Sequence, residues 1–196
     1  MQRLFTVFRV VGQPIAIAIA CAVLLRVAVH AYSIPSDSMS PALRAGDHIL
    51  VTRSWHEPTR GDVVVFRYPL DPEQLFVKRV VAGPGDHLEI RDGIVRLNGR
   101  SLAEPYVVER DALDFSPEII PPKSFFVLGD RRIDSIDSRT FGLVPREMIV
   151  GRARTIFWSS EAAAPYPSAA AHSARGRGNP PGDRGIRWNR VLEPVR

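Results

Sequence analysis

Only one cysteine, Cys21, occurs in the 196 residues, and it lies in an apolar N-terminal stretch, which excludes an intrachain disulfide and a cysteine-built zinc site. Histidine and carboxylate spacings suited to a metal are missing too, so no metal and no cofactor is expected. His48, His56 and His87 stand in ordinary strand or loop contexts, which argues against a Ser/His/Asp triad. Helical periodicity is nearly absent after residue 44, and this excludes a helical bundle or an alternating βαβ chain. No cluster of basic and aromatic residues marks a nucleic-acid module. The formal charge of +5 is partly a property of the tail, because six arginines fall within the last 22 residues. That basicity points to anionic lipid rather than DNA.

The N-terminal stretch Val10 to Tyr32 reads VVGQPIAIAIACAVLLRVAVHAY, although its uninterrupted apolar run, Pro14 to Leu25, is only 12 residues long. As a helix the whole stretch would reach roughly 34 Å, enough for a bilayer core. It reads as a membrane anchor, with Arg26 and His30 near one end where they snorkel to the interface. A cleavable signal peptide ending at Val29-His30-Ala31 and a buried core helix are the alternatives. Arg3 and Arg9 favour a cytoplasmic N-terminus, which puts the body on the extracytoplasmic side of the cell membrane, crossed once.

Short β-branched or apolar runs follow at 48–51, 63–66, 76–81, 87–91, 94–97, 125–128 and 148–157, bounded by turn residues. Asp92-Gly93 and Asn98-Gly99 are two-residue hairpin turns. The expected fold is therefore mainly β: a compact, barrel-like or folded antiparallel sheet domain behind one N-terminal transmembrane helix. The expected segments are a cytoplasmic N-terminus at 1–9, the anchor at 10–32, the β body at 33–158, a flexible Ala/Pro/Gly linker at 159–185 and a basic segment at 186–196. That last segment either returns to the sheet or lies on a membrane surface.

Two features carry chemistry. Ser36-Asp37-Ser38-Met39-Ser40-Pro41 follows the apolar stretch, and Pro35 and Pro41 stiffen the loop so that it can aim a hydroxyl. Ser38 lies at most about 25 Å of extended chain from Ala31, so an anchored chain would hold it near the lipid surface. Within Leu75 to Val81, period-two alternation puts Phe76, Lys78 and Val80 on one face, so one cation shares a face with apolar neighbours. In water a lysine is neutral in only about one molecule in 2,500 at pH 7, but burial that lowers its pKa to about 7 to 8, at roughly 3 to 5 kcal/mol, makes it a base. Otherwise Lys78 merely snorkels from a strand edge. Arg79 stays protonated and cannot serve as the base.

Three blocks, Ser36 to Pro41, Lys78-Arg79-Val80-Val81-Ala82-Gly83-Pro84-Gly85-Asp86 and Gly129-Asp130-Arg131-Arg132-Ile133-Asp134-Ser135-Ile136-Asp137-Ser138-Arg139, stand in this order after the apolar stretch. Together they resemble type I signal peptidase (leader peptidase), a membrane-bound serine endopeptidase with a Ser/Lys dyad. Gly61 to Phe66 and Ile186 to Arg190 resemble two further blocks of that family. The resemblance implies Ser38 as nucleophile, Lys78 as general base, and Ser36 joining the Ser38 N–H in the oxyanion hole. It implies that Ser135 orients the amine, that Asp137 and Arg139 pair beside it, and that Asp130 supports Arg79. Ile34, Pro35, Met39, Leu43, Phe76 and Val77 fall where the family lines shallow apolar subsites for small side chains. Asp37 stands where a small residue is usual, Arg131 and Ile133 replace Asn and Asp, and Asp134 stands where Asn is common. The short stretch between Asp86 and Gly129 implies that the large accessory β domain of some relatives is lacking.

The implied function is removal of signal peptides from exported preproteins, with preproteins and membrane lipid as partners. A peptidase specialised for a narrow client and a membrane-tethered scaffold that binds leaders without cutting are the alternatives. A self-cleaving repressor with the same dyad is disfavoured, since no room exists before Ser38 for a DNA-binding domain.

Overall fold

A computed structural model describes residues 12–53, 56–161 and 185–195. The expected cytoplasmic N-terminus and nearly all of the expected linker lie outside these residues. The chain divides into two units, one ending at His30 and a larger one starting at Ala31. In the first, α1 (Gln13–Ala28) is a 16-residue helix, about 24 Å long at 1.5 Å per residue. Ile15, Ile17 and Ile19 on it are each more than half exposed. Among the described residues, no helix is long and apolar enough to cross a membrane.

The expected single helix over 10–32 is corrected at its end. The chain leaves the helix at Ala28 and becomes strand β1 (Val29–Ser33). Tyr32, in the body, packs against a buried apolar cluster, and this tertiary contact overrides the apolar continuity that makes the stretch read as one helix.

The body is mainly β. Its larger sheet has β1, β2 (Asp47–Thr52), β3 (Val63–Tyr68), β4 (Asp71–Ala82), β9 (Ser124–Leu128), β10 (Val144–Pro145) and β11 (Ile149–Ser159), in the order β1-β2-β11-β3-β4-β9-β10. The smaller sheet has β5 (His87–Arg91), β6 (Ile94–Leu97), β7 (Arg100–Ser101) and β8 (Phe115–Ile119), in the order β7-β6-β5-β8. The ladders from β2 to β10, and those of the smaller sheet, are antiparallel. The body is thus mainly β with antiparallel sheets, as expected.

β4 is the strand that matters for the site. It sits between β3 and β9, with Val64 opposite Lys78 and Leu128 opposite Arg79. Its first residues are exposed, and it is buried on both faces from Lys78 to Ala82. Phe76 and Val80 join Val64, Phe66, Phe125, Val127, Val144 and Ile149 in one apolar cluster. Val77 packs against another, made of Ile34, Met39, Leu43, Ile49, Val51, Val63, Val65, Ala153 and Ile156. A third cluster ties Val81, Ala82, Phe126 and Leu128 to the smaller sheet through Leu88, Ile90, Val95, Leu97 and Ile120. A residue at position 78 is thus withdrawn from water by packing around its strand, whatever its own polarity.

Candidate active site

Ser38 lies in the loop between β1 and β2. The base of the loop is closed by two backbone bonds, Ile34 N–H to the Asp47 carbonyl at 2.8 Å and Gly46 N–H to the Ile34 carbonyl at 2.9 Å. Met39 and Leu43, which are 2% and 0% exposed, sink into the core and pin the loop from beneath, each adding about 1.5 to 3 kcal/mol of burial. Leu43 N–H also donates to the Met39 carbonyl at 2.8 Å, and Arg131 N–H donates to the Ser38 carbonyl at 3.1 Å. The serine is held from both sides.

Lys78 reaches this loop from β4. Its Nζ lies 2.7 Å from Ser38 Oγ, and the residue is 5% exposed. The Phe76 ring, on the same face of the strand, has its centroid 5.7 Å from the amine. Burial pushes the Lys78 pKa down to about 8, against the pull of the Asp137 and Asp130 carboxylates and with a further push from Arg139. At pH 7 about one molecule in ten then carries a neutral amine, against about one in 3,000 at the ordinary value of 10.5. An amine that is neutral in part of the molecules, at hydrogen-bond distance from a hydroxyl, has the geometry a general base needs.

Ser36 Oγ lies 3.4 Å from Ser38 Oγ on the exposed side of the loop. Asp37 turns away from the pair, its Oδ1 accepting the Ala45 N–H at 2.9 Å, so the carboxylate is spent on the loop backbone.

The third block wraps the far side. Arg79 Nε and Nη2 donate to the two oxygens of Asp130 at 2.7 and 2.6 Å, Nη1 donates to the Gly61 carbonyl at 2.9 Å, and the guanidinium lies 4.1 Å from the Tyr106 ring centre. Asp137, with no exposure, caps the single-turn α2 (Ser138–Phe141) and takes Arg139 Nε at 2.8 Å, Arg139 Nη2 at 2.7 Å and the Gly129 N–H at 3.1 Å. Ser138 Oγ accepts the Val127 N–H at 2.9 Å, tying the block to β9.

Ser135 differs from what the resemblance implies. Its Oγ is buried without a hydrogen-bond partner, so the bond expected to orient the Lys78 amine is not made. The hydroxyl packs against Gly129 instead: a Cβ at residue 129 would come within 2.2 Å of Ser135 Oγ and 2.7 Å of the Ser38 carbonyl oxygen. Of the six residues expected to line apolar subsites, Ile34, Met39 and Leu43 are core residues, because their side chains fill the space under the serine loop. Pro35, Phe76 and Val77 keep surface. Phe76 stacks on Tyr68 with ring centres 4.5 Å apart.

Arg131, Ile133 and Asp134, which depart from the family pattern, all reach solvent. Arg131 pairs with Glu109 and Asp134 at 3.2 Å each, and Ile133 is 57% exposed. Sequence reasoning missed the acidic partners of this block. Glu104 is buried between Arg132 and Arg110, and Asp111 pairs with Arg139. The pairing of charges across some 30 positions leaves no local pattern to read.

It also left the C-terminal segment open between sheet and membrane. The described part lies on the sheet: Leu192 N–H donates to the Ile156 carbonyl at 2.7 Å, Ile156 N–H to the Glu193 carbonyl at 2.9 Å and Val195 N–H to the Arg154 carbonyl at 2.9 Å.

Comparison with known proteins gives the chain a family. The family model described as "Signal peptidase, peptidase S26" matches residues 8–158. A protein of Leptolyngbya laminosa named "Signal peptidase I" is 40% identical over 136 residues, covering 64% of this chain and 66% of that one. "Probable signal peptidase I-2" of Synechocystis is 36% identical over 157 residues, with 75% and 72% covered. "Signal peptidase I" of Bacillus amyloliquefaciens is 33% identical over 162 residues, with 75% and 83% covered. Since the matched region runs through the serine loop, the lysine strand and the third block alike, the chain belongs to the signal peptidase family, peptidase S26.

Proposed function

We propose that this protein is a serine endopeptidase that removes N-terminal signal peptides from exported preproteins, cutting after small residues at the −1 and −3 positions, with Ser38 as nucleophile and Lys78 as general base. The observation that carries the reading is the 2.7 Å separation of Lys78 Nζ and Ser38 Oγ at an amine that is almost fully buried. The neutral amine takes the serine proton as Oγ attacks the scissile carbonyl, and the Ser36 hydroxyl and Ser38 N–H stabilise the resulting oxyanion. The lysine ammonium then protonates the leaving amine, giving an acyl-enzyme. Water, deprotonated by the same amine, releases the mature chain's former leader and restores the serine. Asp130, Asp137 and Arg139 support the base by holding the third block against β4, and Ser135 supplies a buried hydroxyl on the same side. The substrate adds as an extended strand whose alternate side chains meet Pro35, Phe76 and Val77.

The body, residues 33–158, acts on the extracytoplasmic side of the cell membrane, tethered by the apolar segment that ends in α1. Three exposed isoleucines on that helix support a lipid-facing place for it.

The test is incubation of the detergent-solubilised full chain with a preprotein, beside Ser38→Ala and Lys78→Ala. Cutting after the small-residue motif by the wild type alone supports the peptidase. Binding without cutting by all three forms makes the protein a leader-binding scaffold.

A further inference from the structure

Asp47 is a fully buried carboxylate at the closing end of the serine loop, and most of its charge is answered from the far end of the chain. Arg190 Nη2 donates to Asp47 Oδ2 at 2.7 Å, and its Nε lies 3.3 Å from both oxygens. Arg187 Nη2 at 3.1 Å and Ser159 Oγ at 2.6 Å bond Oδ1, and the Arg44 N–H at 2.8 Å bonds Oδ2. Burial alone would raise this carboxyl, yet the Arg190, Ser159 and Arg44 bonds leave it below its ordinary range.

The same guanidinium also grips the loop backbone. Arg190 Nη2 donates to the Ala42 carbonyl at 2.9 Å, across 148 positions of sequence, and Nη1 to the Pro41 carbonyl at 3.4 Å. Arg187 Nη2 donates to the Ala45 carbonyl at 2.7 Å. Pro41 is three residues from the nucleophile, with the buried Met39 between them. Arg190 itself is 7% exposed, so these bonds are made away from water, where a planar fork with fixed donors holds several acceptors in one geometry.

We infer that Arg190 is a positioning residue for Ser38, a clamp supplied by the C-terminal segment that sets the seating of the nucleophile loop through the Pro41 and Ala42 carbonyls. The inference rests on Ser38 being the nucleophile. A lysine at this position keeps a charge for Asp47, but its donors all sit on one nitrogen, which cannot stand where Nε, Nη1 and Nη2 stand in turn against Asp47, Pro41 and Ala42. Arg190→Lys should therefore stay folded while its kcat falls about tenfold, with KM within about twofold and the pH midpoint of kcat/KM unmoved, since Lys78 is not touched. In Arg190→Ala, added methylguanidinium should restore part of the lost kcat and methylammonium should not. Leu192→Ala, on the same segment and 74% exposed, serves as the control and should turn over like the wild type.

Assays run well below each variant's unfolding temperature. Wild-type kcat in Arg190→Lys, equal rescue by both amines, or a loss that follows thermal unfolding alone would overturn the inference. If Arg190→Ala does not fold, Arg190→Lys decides. Amide hydrogen exchange over residues 39–47 reads the seating without turnover. Faster exchange in Arg190→Lys supports the clamp even if the wild type cuts no preprotein, in which case the peptidase reading fails instead. Unchanged exchange overturns the clamp.

Discussion

Lys78 and Arg79 are neighbours on one strand, 5% and 2% exposed, and their electrostatic settings are opposite. The Arg79 side of β4 gives its cation two carboxylate oxygens, a carbonyl and an aromatic face. The Lys78 side gives a hydroxyl and a phenyl ring. Burial is thus common to both and cannot be what sets them apart. The difference is a direct carboxylate partner: the charge at 79 is answered, while the charge at 78 is left so poorly compensated that burial pushes the Lys78 pKa down to about 8.

The largest expected effect erases the contrast. Lys78→Arg puts a permanently protonated group beside Ser38, and kcat/KM for a preprotein should fall by about three orders of magnitude or more. Retention of a tenth of wild-type activity would mean that Lys78 is not the base. The reverse experiment strips Arg79 of its partner. Asp130→Ala leaves a guanidinium buried with less than its due, and urea unfolding should show a loss of about 3 to 5 kcal/mol. A loss near zero would mean that the pair is not a structural anchor.

Ser36→Ala tests whether the dyad acts alone, because an oxyanion donor is worth about two to three orders of magnitude in kcat. Near-normal turnover would remove Ser36 from the site. Lys78→Met should be inactive and more stable than the wild type by about 3 kcal/mol at pH 7, the free energy of a fall from 10.5 to about 8. The sign follows from a folded pKa below the unfolded one. The native protein is penalised in full below pH 8, the penalty shrinks between 8 and 10.5 as the unfolded chain alone stays protonated, and it vanishes above. Denaturation of both forms across that range should see the gap close. The smallest effect is in the wild type: kcat/KM should rise about tenfold per pH unit up to about 8 and then level. A profile centred near 6.5 would point to a histidine.

Much of this was legible because it is local. Asp92-Gly93 and Asn98-Gly99 both adopt positive φ at each residue, 48° and 68°, then 52° and 78°, as two-residue hairpin turns require. The seven apolar runs became strands with ends shifted by a few residues, and of the two readings the sequence left open for Lys78, a buried amine and one snorkelling from a strand edge, the structure has the buried one. β8 escaped notice because Phe115–Ile119 contains a serine and a proline and lies at a sheet edge, where neither is penalised. The Asp47 cluster escaped for another reason. Gly46-Asp47 looks like an ordinary turn, and Arg187 and Arg190 look like a basic tail; only the folded chain brings them together. Long-range charge pairing has no period, so it is the part of a site that sequence reading finds last.

Gly129 carries a consequence for how far such a site can be altered. The methyl-sized gap at its Cα is where the Ser135 side chain and the Ser38 carbonyl pass each other, and Asp137 fastens its amide. The surface-facing members of its block, Arg131, Ile133 and Asp134, have room to vary without touching the Ser38–Lys78 pair. An alanine at 129 has none: one added carbon would push the Ser135 side chain and the Ser38 backbone apart, and with them the hydroxyl that Lys78 reaches.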